Sequence, residues 1–408
     1  VRVIVEAGAT SDTPGRAGEA ALTAKSLVEG TRRLSAEQVV AALERIGGEL
    51  EPDTDWNDVS ITTTIRNTAV ADALSVLTEL VDNPVFPEAG VLRNQTEQIA
   101  EREQAKRDPR DHADEMFARA VYAATARFSL PEAGESETIR VFDRNAVAAF
   151  HKSHFAPQRT CVIVVGAVDA ETTLRQVTDS LGDWAAASPA EKALDVDTPA
   201  ASSAIHVVER AGAAQTELRV GHVAVPRLHP DYFSLVIMNA VLGGLFSSRI
   251  NLNLRERHGY TYGAFSAFHW RVQSGPFMVS TAVQTDATAA SIREILSEID
   301  RIREERITEA ELSLAVNYLA GVFPIRYETT AAIASGLAAM RVFGLPENYF
   351  DTYRDRILAV TSDDVLRVAQ QHLQPGKLQI VALGAASDIE AQVATLGREV
   401  RRHEPTSP

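Results

Sequence analysis

Residues Gly243 to Ser266, GGLFSSRINLNLRERHGYTYGAFS, decide how the rest of this 408-residue chain is read. The stretch runs as a tight glycine turn, a short helix, a second glycine and a strand, with Arg255 late in the helix and Tyr262 in the strand. An arginine is a fixed cation carrying a fork of donors, and a tyrosine hydroxyl can donate to an oxygen that is gaining charge. At the mouth of a cleft the two would clamp an anion or oxyanion. That is half of an active site, and the chain must be asked for the other half.

Length and composition set the frame. A chain of 408 residues exceeds one ordinary core and suits two domains of roughly 200 residues. Apolar residues make up 45%, enough for a substantial core, and the net charge of -15 argues against a general nucleic-acid surface. The single cysteine, Cys161, sits in the apolar run CVIVVGAV and reads as a buried small hydrophobe. An intramolecular disulfide is impossible, which suits the cytoplasm and leaves a bacterial periplasm open. No uninterrupted apolar run reaches the roughly 18 residues that span a bilayer, and no signal peptide is visible. The opening VRVIVEAGA is already a strand, so an earlier leader or hairpin stays open.

Taken in order, the first half reads as strand 1–8, helices 16–29 and 35–46, strand 58–65, helix 70–81, a charged helix 87–107, helix 111–125, helix 147–153, strand 160–165 and helix 170–181. The charged stretch REQAKRDPRD reads as a solvated face, with a partner or metal role as the alternative. After Trp184 the polar, proline-containing, alanine-rich stretch AAASPAEKALDVDTPAASS marks a linker. The second half then repeats the first. His154-Phe155-Ala156-Pro157 with Gly166 is matched by His372-Leu373-Gln374-Pro375 with Gly384, both at an offset of 218 positions. The paired histidines therefore read as helix-end structural residues rather than ligands. Strands at 217–223 and 277–284, and helices at 232–242, 288–303 and 309–320, complete the second copy, with a strand at 262–270 holding Tyr260 and Tyr262 on one face. Phe268 and Trp270 beside it either line a groove or pack a sheet face. The expected fold is a mixed α/β (α+β) chain of two homologous domains, 1–185 and 205–408, joined by a linker at 186–204. Each has a largely antiparallel sheet covered by helices, and together they enclose a cleft or chamber.

The other half of the site is missing from the familiar motifs. There is no GxSxG, no phosphate or dinucleotide glycine loop, and Ser247-Ser248 reads as a helix start without a base. Neither HExxH nor HxxEH occurs. His151 with His154, and His112 with Glu115, are weak pairs.

The stretch Gly243–Tyr262, with LRERHGYTY at its core, closely resembles the C-terminal-domain signature of the M16 metallopeptidases, the inverzincins related to pitrilysin and the mitochondrial processing peptidase. The N-terminal strand, AGATSD, PGRAGEA and LVEGT are similar to the same family, and the resemblance extends over essentially the whole chain. It implies that the five HxxEH positions fall on Ala21, Leu22, Thr23, Ala24 and Lys25. Both zinc-binding histidines would then be replaced, by Ala21 and Lys25, and the general-base glutamate by Ala24. The family's distant glutamate ligand would fall on Glu101. The family's cleft-facing arginine and tyrosine, which bind the substrate backbone and polarised carbonyl, carry over to Arg255 and Tyr262.

Some members of this family divide the labour between a zinc-bearing chain and one without zinc, and the sequence looks like the second kind. The expectation is a non-catalytic subunit of a heterodimeric zinc peptidase, inactive alone and without a metal or cofactor of its own. Its partner would be an HxxEH homologue that holds the zinc and an extended peptide on a sheet edge. Arg255 and Tyr262 would act in trans on that peptide; a purely structural tie between helix end and strand is the alternative for the pair. A non-enzymatic scaffold or peptide-binding protein of the same fold is the alternative function. Neither a nucleic-acid partner nor a membrane span is expected. The short Gly243-Gly244-Leu245-Phe246 turn speaks against the recognition of presequences by a long glycine-rich loop.

Overall fold

Val3, Ile4 and Val5 are wholly or almost wholly buried, and around them the first sheet forms. In the computed structural model, which describes residues 1–182, 184 and 202–404, that sheet comprises β1 (Arg2–Val5), β2 (Glu51–Thr54), β3 (Val59–Thr62) and β4 (Thr160–Ile163). Its order is β2-β3-β1-β4, with every pairing antiparallel. Helices Glu19–Leu27, Val70–Asp82 and Arg144–His154 cover it with Leu22, Leu27, Leu77, Leu80 and Phe150. The second sheet comprises β5 (Ala204–Glu209), β6 (Gln215–Val223), β7 (Ala264–Phe268), β8 (Pro276–Gln284), β9 (Gln379–Gly384) and β10 (Glu399–His403), in the order β10-β5-β9-β6-β8-β7. The run β7-β8-β6-β9 repeats β2-β3-β1-β4, again all antiparallel. The duplication inferred from two histidines and two glycines is thus a duplication of sheet topology. Strands β5 and β10 are added in parallel beyond β9.

The described residues form two packing units, each drawn from stretches that are not contiguous in sequence. One unit comprises Val1–Gln104, Leu130–Asp195 and Arg326–Leu345; the other comprises Ala105–Ser129, Val196–Ile325 and Pro346–Pro408. Helix Pro109–Val121 covers the second sheet. Phe117 packs so close to Gly221 that a β-carbon there would lie 2.9 Å from its ring, and Asp114 pairs with the buried Arg219. In return, helix Thr330–Phe343 covers the first sheet, packing Ala334 and Ala338 on Ile4 and Ile163 while Arg341 pairs with Glu6 at 2.8 Å. Each exchange is fixed by contacts more than 100 residues apart in sequence. Of the expected linker, residues 186–201 lie outside the described residues, and Ala204 already opens β5.

Several local expectations shift. Strand β2 is an addition, and the strand expected at 262–270 is confined to Ala264–Phe268. Cys161 is half-buried on β4 rather than fully buried. The segment Tyr232–Arg257 has the length and apolar composition to cross a bilayer, yet 61% of its most apolar window is buried, so packing uses its apolarity.

Candidate functional site

Helix Glu19–Leu27 starts where Asp12 takes two amides, from Gly18 and Ala20, each at 2.8 Å. A carboxylate there satisfies N–H groups that have no partner within the helix and complements the positive end of its dipole. Ala21 and Ala24 are buried and present only methyl groups. Thr23 donates its hydroxyl to Glu19 O at 2.8 Å. Lys25 reaches outward, and its Nζ lies 2.7 and 2.6 Å from the two carboxylate oxygens of Glu101. Helix Glu88–Arg107, which carries Glu101, is fastened against the first by Asn94, which donates to Lys25 O at 3.1 Å and Glu29 Oε1 at 3.0 Å. Arg93 adds an ion pair with Glu29, and Gly90 lets the helices approach, since a β-carbon there would sit 2.6 Å from Glu29 Oε2.

The positions Ala21, Ala24, Lys25 and Glu101 are thus assembled on two clamped helices, but they do not fit zinc. Two have no donor atom, the third is an ammonium, and that ammonium engages both oxygens of the one carboxylate. No chemical step can be routed through a metal at this place.

In the other unit, helix Tyr232–Asn239 continues into a wide π-type turn, Ala240–Gly244. Gly243 lies so close to β7 that a β-carbon would come within 2.7 Å of the Ser266 amide nitrogen. Only glycine permits that approach. Asn239 exchanges two hydrogen bonds with Ser266, donating to its carbonyl at 3.0 Å and accepting from its hydroxyl at 2.8 Å. Asn251, fully buried, donates to Phe246 O at 2.6 Å and accepts from the Ala264 amide at 3.0 Å. The two asparagines thus take the Ala264 amide and the Ser266 carbonyl on the outer edge of β7.

Asn251 also fixes the two ends of the segment that presents Arg255 and Tyr262. Arg255 stands on a second π-type turn, Leu252–Arg257, with its guanidinium carbon 4.6 Å from the Phe246 ring centroid and Nε 3.3 Å from Glu256. Gly259, at φ +67°, ends that turn, since a left-handed residue is cheap only for glycine. Tyr262 does not lie in the strand. It belongs to the bend before β7 and is 91% exposed, while the neighbouring Thr261 is tied down by its hydroxyl to Ala282 O at 2.7 Å. Arg255, 36% exposed, and the almost fully exposed Tyr262 thus project from one braced segment. Phe246 and Asn251, which hold that segment, escaped the sequence reading: nothing in the composition marks a phenylalanine as the seat of an arginine or an asparagine as a cross-tie.

The remaining candidates resolve into packing. Trp270 stacks on Phe268 at 5.1 Å and meets Tyr232 at 4.7 Å, a packed face rather than a groove. His151 donates Nε2–H to Val81 O at 2.8 Å, and burial pushes its pKa down to about 4. His154 packs on Phe150. Strand β2 is blunted by its own residues. The Asp55 amide bonds Asp58 O, so in the alternating ladder Pro52 and Thr54 face outward; proline has no N–H, and the Thr54 amide is taken by Asp53 Oδ1 at 2.9 Å.

A duplicated arrangement of helices on antiparallel sheet, with a clamped helix pair in one copy and an arginine and tyrosine on a braced turn in the other, defines a metallopeptidase-type fold. The chain belongs to the M16 peptidase family: residues 1–130 match the insulinase (peptidase family M16) domain and residues 142–319 the peptidase M16 inactive domain. It is 24% identical over 372 residues to an uncharacterized zinc protease of Streptomyces coelicolor, covering 90% of this chain and 80% of that one. It is 22% identical over 382 residues to a protein named as a non-peptidase homolog in Helicobacter pylori, covering 92% and 86%. Among solved structures, a peptidase M16 inactive domain from Pseudomonas fluorescens matches with a TM-score of 0.83 at 24% identity, covering 94% of this chain and 92% of that one. A protease from Helicobacter pylori matches with a TM-score of 0.84 at 19% identity, covering 94% and 93%.

Proposed function

We propose that this chain is the non-catalytic subunit of a two-chain zinc peptidase. The observation that carries the reading is the Lys25–Glu101 pair, an ammonium seated on the one surviving carboxylate where the family places its metal. The kept half of the site supports it, because Arg255 and Tyr262 are presented on a braced segment and left accessible. Peptide hydrolysis builds negative charge on the scissile carbonyl oxygen, and donors fixed in advance stabilise that charge without reorganising. In this reading the partner is an HxxEH homologue that supplies zinc, the general base and the sheet edge on which an extended peptide lies. The partly occupied edges of β2 and β7 suit that division, since each has at least one outward backbone group already taken by a side chain.

The test is reconstitution with an HxxEH homologue and an extended peptide substrate. This chain alone should cleave nothing, the mixture should cleave, and Arg255→Ala and Tyr262→Phe should lower the rate of the mixture. Unchanged rates in both variants would remove the proposed contribution in trans. The alternative, a scaffold or peptide-binding role without proteolysis, takes its support from the relative named as a non-peptidase homolog. It would be favoured if the chain associated stably with partners that are not peptidases and with no HxxEH homologue.

A further inference from the structure

The second copy holds a cluster that the repeat does not require. His372 ends helix Ser362–His372, as His154 ends helix Arg144–His154. At the first copy's helix end, His154 packs on the Phe150 ring and meets Arg159 at 3.5 Å. At the second, His372 Nε2 lies 2.7 Å from Asp231 Oδ2, and His229 Nδ1 lies 3.9 Å from that same oxygen. One ligand-type atom from each of the three residues falls within 4.8 Å of the others. The imidazole rings stand edge to face, 4.9 Å apart at 82°.

We infer that His229, Asp231 and His372 form a binding site for a first-row divalent transition metal of the zinc type, separate from the degenerate positions 21–25 and 101. Ligand atoms around such an ion lie about 2.0–2.2 Å from it, so in a tetrahedral shell they stand about 3.2–3.6 Å from one another. The two imidazole–carboxylate spacings, 2.7 and 3.9 Å, bracket that range, and the two imidazole nitrogens lie within 4.8 Å of each other. Two imidazoles and one carboxylate are a donor set for zinc, cobalt or nickel, while magnesium and calcium demand oxygen. The fourth position is left for water.

The supports are already in place. Arg367 donates to Asp231 Oδ1 at 2.8 Å, which orients the carboxylate with Oδ2 toward the imidazoles. The loop ahead of Asp231 is held by Arg227, which donates to Tyr349 Oη at 2.7 Å and stacks 3.5 Å from the centroid of Tyr232. Binding would replace the hydrogen bond between His372 and Asp231 and take the His229 Nδ1 lone pair from the Asp231 amide, now 3.1 Å away. The Arg367 cation offsets part of the carboxylate's charge, so the site should bind more weakly than an unopposed three-ligand set. With its ligands drawn from a loop and a distant helix end, the ion would act as a staple within this unit rather than as a reaction centre.

The experiment uses the full chain stripped with a chelator, without any partner, so its outcome is independent of the peptidase reading. Titration with Zn2+ by calorimetry, and with Co2+ by visible absorption, should show one bound ion per chain and a raised thermal midpoint. His229→Gln and His372→Gln should each weaken binding at least tenfold and abolish the thermal shift, whereas Lys25→Met should leave both unchanged. His229 is the more exposed imidazole, so His229→Gln tests the site even if His372→Gln fails to fold. Absence of stoichiometric binding, or binding untouched by His229→Gln, would overturn the assignment.

Discussion

Helix Glu19–Leu27 and the segment Arg249–Arg257 both lie between an inner strand and the hairpin that follows it, the first as the first helix after β1 and the second beyond helix Tyr232–Asn239. One presents the methyl groups of Ala21 and Ala24 and an ion pair, Lys25 to Glu101. The other presents the Arg255 cation, with the exposed Tyr262 phenol beyond its end, and is held by the half-buried Asn239 and the buried Asn251. The contrast is between a helix pair joined by an open ion pair and a turn held by side-chain amides bonded to backbone.

The comparison breaks most visibly in activity. In the reconstituted two-chain peptidase, Arg255→Ala should reduce the turnover number by about 100- to 1000-fold, the usual loss when one preorganised donor to an oxyanion is removed. Tyr262→Phe should act in the same direction by a smaller factor. Neither change should shift the unfolding midpoint of the isolated chain appreciably, because Tyr262 is almost fully exposed and Arg255 partly so. A large stability loss with unchanged turnover would make the pair structural.

Next in size is the brace itself. Asn251→Ala leaves the Phe246 carbonyl and the Ala264 amide without their side-chain partner in a buried setting, at a cost of about 2–3 kcal/mol. Urea unfolding measures it, and a cost below about 0.5 kcal/mol would mean that water replaces the amide at no penalty.

Acid probes the same segment at its start. Arg249 is paired with Glu311 through two contacts at 2.6 and 3.0 Å. Burial favours the neutral acid at Glu311, but the Arg249 guanidinium and the Thr308 amide outweigh it and hold the carboxyl at about 2. A carboxylate whose folded pKa lies below its ordinary value near 4.5 contributes stability that is complete above that value and is lost as pH falls toward 2. Glu311→Gln should therefore lower the thermal midpoint at pH 6 and flatten its fall between pH 4.5 and 2. An unaltered pH profile would show that the pair carries none of the acid sensitivity.

What could be read in advance follows the range of the interaction. The duplication was legible because it rests on local punctuation, a helix-ending histidine, a proline and a strand-ending glycine in each copy. Strand β2 was not, because Glu51-Pro52-Asp53-Thr54 has no alternating apolar face and owes its place to pairing with β3. The exchange of helices Pro109–Val121 and Thr330–Phe343 was equally hidden, since Phe117 on Gly221 and Ala334 on Ile4 are contacts that no periodicity encodes. The alternation of its neighbours reads Tyr262 into a strand, yet the backbone there is a bend, beside which Thr261 donates its hydroxyl to Ala282 O. For the helix pair, Ala21, Ala24, Lys25 and Glu101 could be named from the family resemblance. That Lys25 would settle on Glu101 depends on two helices docked through Gly90 and Asn94.

The smallest expected effect lies at that docked pair. Lys25 and Glu101 are 31% and 51% exposed, and ion pairs this open are worth about 0–1 kcal/mol once side-chain entropy and solvent screening are counted. Lys25→Met keeps the aliphatic stem against the helix pair and removes only the charge, so the midpoint should move by no more than about 2–4 °C. Glu101→Gln should cost a similar amount, and the double variant little more than either, because each single change already dissolves the same pair. Raising the salt to 1 M should shrink the wild-type advantage, the screening length falling to about 3 Å. A cost of several kcal/mol from either single change would mean that the ammonium is a structural keystone of the helix pair. The helix pair would then be, like the asparagine-braced turn in the other copy, a place held by a polar cross-tie.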